Sequence, residues 1–138
     1  MQPVGSSSIM VIGNNAYFCY LIRRYIRKCK FQTLFSTLGE EALALAQREK
    51  PEAIVLEVDR LGTSSWQILH ALKGHPATRD IPVVLCSWQE DYRHGLQEGA
   101  SACLRMPILY DDFYNALVSA GVVMCQTKEN DREIKKNL

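Results

Sequence analysis

Short apolar runs alternate with longer stretches of helical periodicity along almost the whole of this chain. The runs fall at residues 9–12, 31–36, 53–58, 83–87 and 102–106, and the helical stretches at 16–30, 37–50, 63–74, 90–100 and 111–124. Strands and helices that alternate in this way, with short connections, form a parallel sheet with helices on both faces. The sequence therefore predicts an α/β fold of five strands and five helices.

Particular residues mark where the predicted helices begin and end. Side chains with an oxygen acceptor suit the N-cap, acidic residues suit the first turn, and glycine suits the position after the last turn. The start signals are a capping box of Thr37 with Glu40, then Ser64 or Ser65, then Asp111 with Asp112; the stop signals are Gly74 and Gly99.

Length and composition limit the class of protein. The chain has 138 residues, 47% apolar and 22% charged, which suits one domain; we place it at residues 8–124, between polar tails at 1–7 and 125–138. A net charge of +1 gives no global attraction to nucleic acid or to a membrane. Because no apolar run is long enough to span a bilayer and no secretory signal pattern is present, we expect a cytoplasmic protein.

The five cysteines and three histidines do not form a recognisable framework. The number of cysteines is odd, no pair has C-x-x-C spacing, and the histidines fall at no ligand spacing from them. We therefore expect reduced thiols, most of them buried, and no metal site.

One acidic residue, Glu57, closes the third predicted strand. The apolar run before it, residues 53–56, is typical of a strand that is buried on both faces. Carboxylates are rare in such places unless they are paired or used. Glu57 is therefore the first candidate functional residue.

Three segments resemble one family. "STLGEEALALAQREKPEAIVLE", "LKGHPATRDIPVVLCS" and "HGLQEGASACLRMP" together are similar to the receiver (CheY-like) domain of two-component response regulators, and the similarity covers residues 8–122. The resemblance implies a flavodoxin-like sheet of strand order 2-1-3-4-5. It also implies a cis peptide bond before Pro107, although only about 5–6% of X–Pro bonds in folded proteins are cis.

The resemblance further implies where a phosphorylation site would lie, and this chain departs from the family there. Receivers transfer a phosphoryl group to an aspartate and hold Mg²⁺ with an acidic pair. Taken position by position, the acidic pair falls on Gly13 and Asn14, the phosphoacceptor on Glu57, the strand-four hydroxyl on Ser87, the lysine on Met106, the proline on Pro107 and the aromatic switch residue on Cys103.

These departures predict that the chain does not use receiver chemistry. Gly13 supplies no ligand, Glu57 is one methylene longer than aspartate, and Met106 cannot offset charge on a phosphoryl group. Trp88 stands where receivers usually have a small residue, and we expect its indole to cover the site. The prediction is a pseudo-receiver that is not an enzyme and has no metal or cofactor, acting as an interaction module in signalling or transcriptional regulation. The alternatives are an atypical phosphoacceptor that uses Glu57 and a small-ligand-binding flavodoxin-like domain.

Three interpretations of Glu57 remain open at this point. It could imitate a phosphorylated aspartate by bonding to Ser87, bind a cation weakly, or be a residual carboxylate held by neutral donors. The third is favoured. Its expected donors are the Ser87 hydroxyl, the Asn14 amide and backbone N–H groups of residues 58–61.

Two surfaces are candidates for partner binding. The first predicted helix has five cations within residues 23–30, for which a solvated face is favoured over a patch for an acidic partner; we expect no direct nucleic-acid binding. By resemblance, a protein partner or a second copy would bind the face of helix four, strand five and helix five. The candidate residues on that face are Tyr92, Arg93, His94, Arg105, Tyr110 and Tyr114.

Overall fold

The computed structural model describes residues 7–39, 41–58, 63–89 and 92–122. The predicted tails therefore lie almost wholly outside the described residues, as does Glu40 of the predicted capping box. Strands and helices alternate along the described chain. They are β1 (Ser8–Ile12), α1 (Ala16–Lys28), β2 (Gln32–Ser36), α2 (Glu41–Glu49), β3 (Ala53–Glu57), α3 (Thr63–Gly74), β4 (Val83–Ser87), α4 (Tyr92–Gln97), β5 (Ala102–Arg105) and α5 (Tyr110–Ser119).

The five strands form one parallel sheet in the order β2-β1-β3-β4-β5, which confirms the predicted topology. In the central register Val11 of β1 faces Val55 of β3, and Val55 faces Val84 of β4. Every residue of β3 and β4 is buried, as expected for strands covered on both faces. The order leaves β2 and β5 as the two edge strands.

The core lies in two layers, one on each face of the sheet. On one face, Ile22 and Ile26 of α1 and Phe113 of α5 pack against the sheet. On the other, Ala46 of α2 and Leu69 of α3 pack against it. Full burial of one such aliphatic or aromatic side chain contributes about 1.5–3 kcal/mol, so the two layers supply most of the drive to fold.

The structure corrects two helix ends. Helix α2 begins at Glu41, and the Thr37 hydroxyl donates to Oε1 of Glu41 at 2.7 Å. Helix α5 ends at Ser119 instead of continuing through 124, because Gly121 takes φ +89° and the N–H groups of Gly121 and Val122 donate to the carbonyls of Val118 and Leu117. These two hydrogen bonds form a Schellman cap. The cap ends α5 here because Gly121 can adopt the left-handed conformation that it requires.

Two other predicted features are confirmed. Gly99 follows α4 with φ +104°, and the peptide bond between Met106 and Pro107 is cis. Among the described residues, no helix is long and apolar enough to cross a membrane.

Candidate functional site

The carboxyl ends of the central strands bring the predicted site residues to one edge of the sheet. Gly13 follows β1, Glu57 ends β3, Ser87 ends β4 and Met106 follows β5. In open parallel α/β sheets this edge is where ligands bind. The structure therefore brings these predicted residues to one edge of the sheet; that they form a functional site stays a prediction.

Glu57 is buried at this edge and binds the start of helix α1. It is 7% exposed, and its Oε1 accepts hydrogen bonds from the backbone N–H groups of Asn14 (2.8 Å) and Asn15 (3.1 Å). These N–H groups lie at the positive end of the α1 dipole, which favours a carboxylate there. Because the acceptor is charged, each such bond contributes about 1.5–3 kcal/mol. Glu57 thus ties the end of β3 to the start of α1.

Gly13 leaves the space that the Glu57 carboxylate occupies. A Cβ built on Gly13 would lie 2.7 Å from Oε1 of Glu57, 3.1 Å from its Cβ and 3.2 Å from the Phe18 ring. The backbone N–H of Gly13 donates to the Ser36 carbonyl at 3.0 Å, so the backbone is fixed in place. Glycine is needed here because of the close approach of Glu57.

The two asparagines after Gly13 use their side chains to hold the backbone. Oδ1 of Asn14 accepts from the N–H of Leu38 at 2.9 Å, and Oδ1 of Asn15 accepts from the N–H of Phe18 at 2.9 Å. Asn15 is thus the N-cap of α1. The sequence analysis missed this role, although an asparagine directly before a helical pattern was the signal for it.

The donors to Glu57 differ in position from those expected. The Asn14 amide was expected, but Asn14 donates through its backbone, and Asn15 was not named at all. Residues 59–61 of the expected loop lie outside the described residues. Backbone donors from the β1–α1 connection therefore replace the side-chain donor predicted from Asn14.

Ser65 has a different role from the N-cap that was predicted. It lies inside the first turns of α3, is fully buried, and its hydroxyl donates to the Glu57 carbonyl at 2.6 Å. Ser65 therefore attaches α3 to the end of β3. Both the side chain and the backbone carbonyl of Glu57 thus accept hydrogen bonds.

Ser87 is buried at the end of β4, and its groups stabilise the loops around it. Its Oγ accepts from the N–H of Gln89 at 3.0 Å, and its carbonyl accepts from the N–H of Met106 at 2.7 Å. Met106 is 8% exposed and packs in the core layer that contains α1 and α5. At the lysine position the chain therefore has an apolar core residue.

Trp88 lies largely at the surface. The residue is 63% exposed, whereas Glu57 and Ser87 are buried. The indole is therefore not packed into the core beside them, and its role as a cover of the site stays a prediction.

Helix α4 lies directly on the switch position. A Cβ built on Gly95 would overlap Sγ of Cys103 and lie 2.7 Å from Cδ1 of Leu85. Cys103 is half-buried on the face of the sheet that α4 covers. With α4 in this place there is no room for a large aromatic side chain at position 103.

The thiols near the site are held neutral. Burial raises the pKa of Cys86, with smaller contributions from Cys103 and from the charge of Glu57. Burial also raises the pKa of Cys19, and the negative charge of Glu57 raises it further. The thiolate is the reactive form, and a raised pKa disfavours it, so the surroundings of Cys86 and Cys19 do not activate either thiol as a nucleophile.

The residues proposed for a partner interface divide into two groups. Arg93, His94 and Arg105 are exposed at α4 and the end of β5, and the His94 ring lies 4.2 Å from the Trp66 ring. Tyr110 instead contacts α1, where its ring lies 5.3 Å from that of Tyr25 and beneath the Lys28 ammonium. Tyr114 packs beside Tyr110, and the side chain of Tyr92 lies outside the described residues.

The described residues at this edge do not fit a magnesium ion. Mg²⁺ prefers near-octahedral oxygen ligands, usually including one or two carboxylates. Gly13 offers no side chain, Oδ1 of Asn14 accepts from Leu38, and Oε1 of Glu57 accepts two backbone N–H groups. Within the described parts of the chain, no three His, Cys, Asp or Glu residues are grouped so that they could hold a metal.

Sequence comparison relates the chain to response regulators. A segment of 73 residues is 41% identical to the response regulator PleD of Caulobacter vibrioides, covering 51% of this chain but only 16% of that protein. The polar-differentiation response regulator DivK of Brucella anthropi is 26% identical over 115 residues, covering 81% of this chain and 94% of that protein. No protein-family model matches the sequence.

Solved structures share the fold at low sequence identity. The chemotaxis protein CheY4 of Vibrio cholerae superposes with a TM-score of 0.74 at 16% identity, covering 86% of this chain and all of that one. The receiver domain of the sensor histidine kinase PA1611 of Pseudomonas aeruginosa, solved with magnesium in its active-site cleft, superposes with a TM-score of 0.73 at 17% identity, covering 85% of this chain and 99% of that one. The sequence relatives are response regulators, and the solved structures show that the chain has the CheY-like fold.

Proposed function

We propose that this receiver domain acts in two-component-type signalling or transcriptional regulation without being phosphorylated, as a cytoplasmic protein-interaction module. The observation that carries the proposal is the bonding of Glu57: Oε1 accepts from the N–H groups of Asn14 and Asn15, in the space that Gly13 leaves free. The carboxylate is thus committed to the backbone.

Phosphoryl transfer needs groups that neutralise the transferring oxygens, and this edge of the sheet supplies few. Catalysis of this kind depends on positioning and on electrostatic stabilisation by metal ions and cations. Met106 offers a buried thioether at the lysine position, and Gly13 offers no metal ligand. A misplacement of about 1 Å can cost on the order of a hundredfold in rate, and Glu57 is a methylene longer than aspartate.

The same contacts hold the site in a single arrangement. Glu57 joins β3 to α1, Ser65 joins α3 to β3, and Gly95 lets α4 lie on Cys103. A domain held in this way presents one fixed surface to its partner. For that surface we propose the exposed face of α4, β5 and α5, with Arg93 and Arg105 as the charged contacts and His94 beside them.

The test of the chemistry is incubation with acetyl phosphate and Mg²⁺, followed by intact mass measurement. A receiver domain that has the family's aspartate and lysine serves as the positive control for the reagents. We expect no phosphoryl adduct on this protein. An adduct that disappears in Glu57→Gln would overturn the proposal in favour of an atypical phosphoacceptor.

The test of the interface is the effect of charge reversal on self-association or on capture of a partner by the intact chain. We expect Arg105→Glu and Arg93→Glu to weaken the association. Arg79→Glu is the matched control, because Arg79 is exposed in the connection between α3 and β4. Equal effects of all three changes would argue against this face.

A further inference from the structure

The exposed surface of α1 is both cationic and aromatic. Five cations fall within residues 23–30, and α1 itself contains no acidic residue. Four of the five lie on α1 and Lys30 lies just after it; without these five the chain has 11 cations and 15 anions, a net charge of −4, so positive charge is concentrated at this helix and its C-terminal end. Tyr17 is 72% exposed and Tyr20 is 59% exposed on the same helix.

The cations of this surface are not neutralised by the described part of the protein. Within residues 7–39, 41–58, 63–89 and 92–122, the only side-chain ion pair joins Arg48 and Glu49. Arg24 lies 5.8 Å from the centroid of the Tyr20 ring, and Lys28 lies 4.2 Å from that of Tyr110. These are contacts with aromatic rings, and within the described residues neither cation forms an ion pair with a carboxylate.

A groove runs between α1 and the edge strand β2. It has a volume of about 270 Å³, and its lining is mostly apolar, with Tyr20 and Phe35 on opposite sides and Arg23 beside them. Phe35 is 46% exposed although it lies on a strand. An exposed aromatic ring beside an arginine is the composition of an interface anchor.

The residues of β2 themselves do not protect its edge. The N–H of Gln32 and the carbonyl of Ser36 bond towards β1, so by alternation the backbone groups of Thr33 and Phe35 turn to the free edge. Proteins usually protect such an edge with a charged residue or a proline, and β2, with the sequence QTLFS, has neither.

We propose that this surface, defined by Tyr20, Arg23, Thr33 and Phe35, binds an acidic polypeptide segment, with an apolar side chain in the groove and carboxylates on the α1 arginines. Charge complementarity selects an acidic partner. The groove favours a polypeptide, because an apolar side chain fits its mostly apolar lining, whereas a nucleobase would bring polar edges for which the lining offers only Arg23 and Thr33 as polar side chains beyond the tyrosine hydroxyl. The partner is separate from the chain's own C-terminal segment: residues 123–138 have four cations and three anions and so lack the acidic charge.

The probe is a short dye-labelled peptide with one phenylalanine between two acidic runs, and the measurement is fluorescence anisotropy with the full chain. We expect binding that weakens as salt is added. Arg23→Glu, Phe35→Ala and Tyr20→Ala should each raise Kd about tenfold, the effect of losing one anchor residue. Three exposed positions make it possible to alter the surface without relying on a single variant.

Matched controls separate this site from the general charge of the protein. Arg79→Glu makes the same charge change elsewhere, and Val118→Ala truncates a residue with the same 46% exposure as Phe35; neither should change Kd. A peptide with the same acidic runs but no phenylalanine should bind less tightly.

Four results would overturn the proposal: no binding of the first peptide, equal losses in Arg23→Glu and Arg79→Glu, equal binding of the two peptides, or tighter binding of a dye-labelled single-stranded oligonucleotide. None of them bears on phosphorylation, so this proposal and the proposed function succeed or fail separately.

Discussion

The carboxylate of Glu57 fills the volume that a side chain at position 13 would take, since a Cβ on Gly13 would lie 2.7 Å from Oε1. The two residues come from the ends of neighbouring strands, β1 and β3, and they fit only as a pair. The length of Glu57 brings its carboxylate to the N–H groups at the start of α1, and the glycine makes room for it. This pairing has measurable consequences.

Replacing Gly13 should destabilise the protein. In Gly13→Ala the new methyl group meets Oε1, the Glu57 Cβ and the Phe18 ring at 2.7–3.2 Å. Overpacking of this kind costs about 1–3 kcal/mol, which exceeds the gain of about 0.4–1 kcal/mol from restricting the unfolded chain. Urea denaturation should therefore show a lower free energy of unfolding. Gly74→Ala is the control, because nothing lies within 4 Å of a Cβ at Gly74. A similar loss of stability in Gly74→Ala would show that the loss in Gly13→Ala does not come from contact with Glu57.

Glu57→Gln should keep the fold and lose part of the stability. The amide oxygen can still accept from Asn14 and Asn15, but as a neutral acceptor, so we expect a loss of about 1–2 kcal/mol. The measurement is again urea denaturation, with Glu98→Gln on the surface as control. Neither the native protein nor the variant should be stabilised by millimolar Mg²⁺. If Mg²⁺ raises the Tm of the native protein and not that of Glu57→Gln, our account of Glu57 is wrong.

The N-cap of α1 should be worth about 1 kcal/mol. Asn15→Ala removes the acceptor for the Phe18 N–H but leaves the backbone N–H that binds Glu57, so we expect a loss of about 0.5–2 kcal/mol. Asn15→Ser should recover most of it. Asn115→Ala is the control, and it should slightly raise the free energy of unfolding. Asn115 is exposed within α5, and alanine is favoured over asparagine in a helix interior. Equal losses of stability in Asn15→Ala and Asn115→Ala would contradict the role of Asn15 as the N-cap.

Gly95 should be required for α4 to lie on β5. Gly95→Ala gains helix propensity of about 1 kcal/mol, but its methyl group overlaps Cys103 and presses on Leu85. We expect net destabilisation in thermal melts, and partial rescue in Gly95→Ala with Cys103→Ala, where Sγ is absent. If the loss of stability in the double variant equals the sum of the losses in the two single variants, the two residues do not compete for space.

Alkaline pH should weaken the fold through Cys86. Burial raises the pKa of this thiol above its ordinary value of 9.0 in the folded state, so its contribution to stability is complete below about pH 9. As the pH rises further, the unfolded chain releases this proton while the folded chain keeps it, and the free energy of unfolding falls by about 1.4 kcal/mol per pH unit. Denaturation series from about pH 8 to about pH 10 measure the slope. Cys86→Ala should reduce the slope of unfolding free energy against pH. An unchanged slope would show that groups other than Cys86 cause the loss of stability.

The alternation of strands and helices could be predicted from the sequence, because strand and helix periodicities are local in the chain. The sheet order was predicted only through the family resemblance, which also places Glu57, Ser87 and Met106 at one edge. The start of α2 and the end of α5 were predicted less well. A capping box and a glycine are each compatible with more than one helix boundary, as Gly121 shows.

The partners of Glu57 could not be predicted in the same way. Its two donors are backbone groups, which every residue has, and their direction depends on how the β1–α1 connection passes over the end of β3. The role of Ser65 was missed for a related reason: a serine near a helix start suits an N-cap, and only the packing of α3 on β3 turns its hydroxyl towards the Glu57 carbonyl. The exposure of Trp88 likewise depends on the path of a loop.

The fit between Gly13 and Glu57 makes each residue a constraint on what can replace the other. Aspartate at position 13 alone would meet the glutamate, and aspartate at position 57 alone would face a glycine instead of a second carboxylate. Under the proposed function, a change towards metal binding therefore needs both positions to change together. The two residues evolve as one unit, whereas exposed residues of the domain can change one at a time.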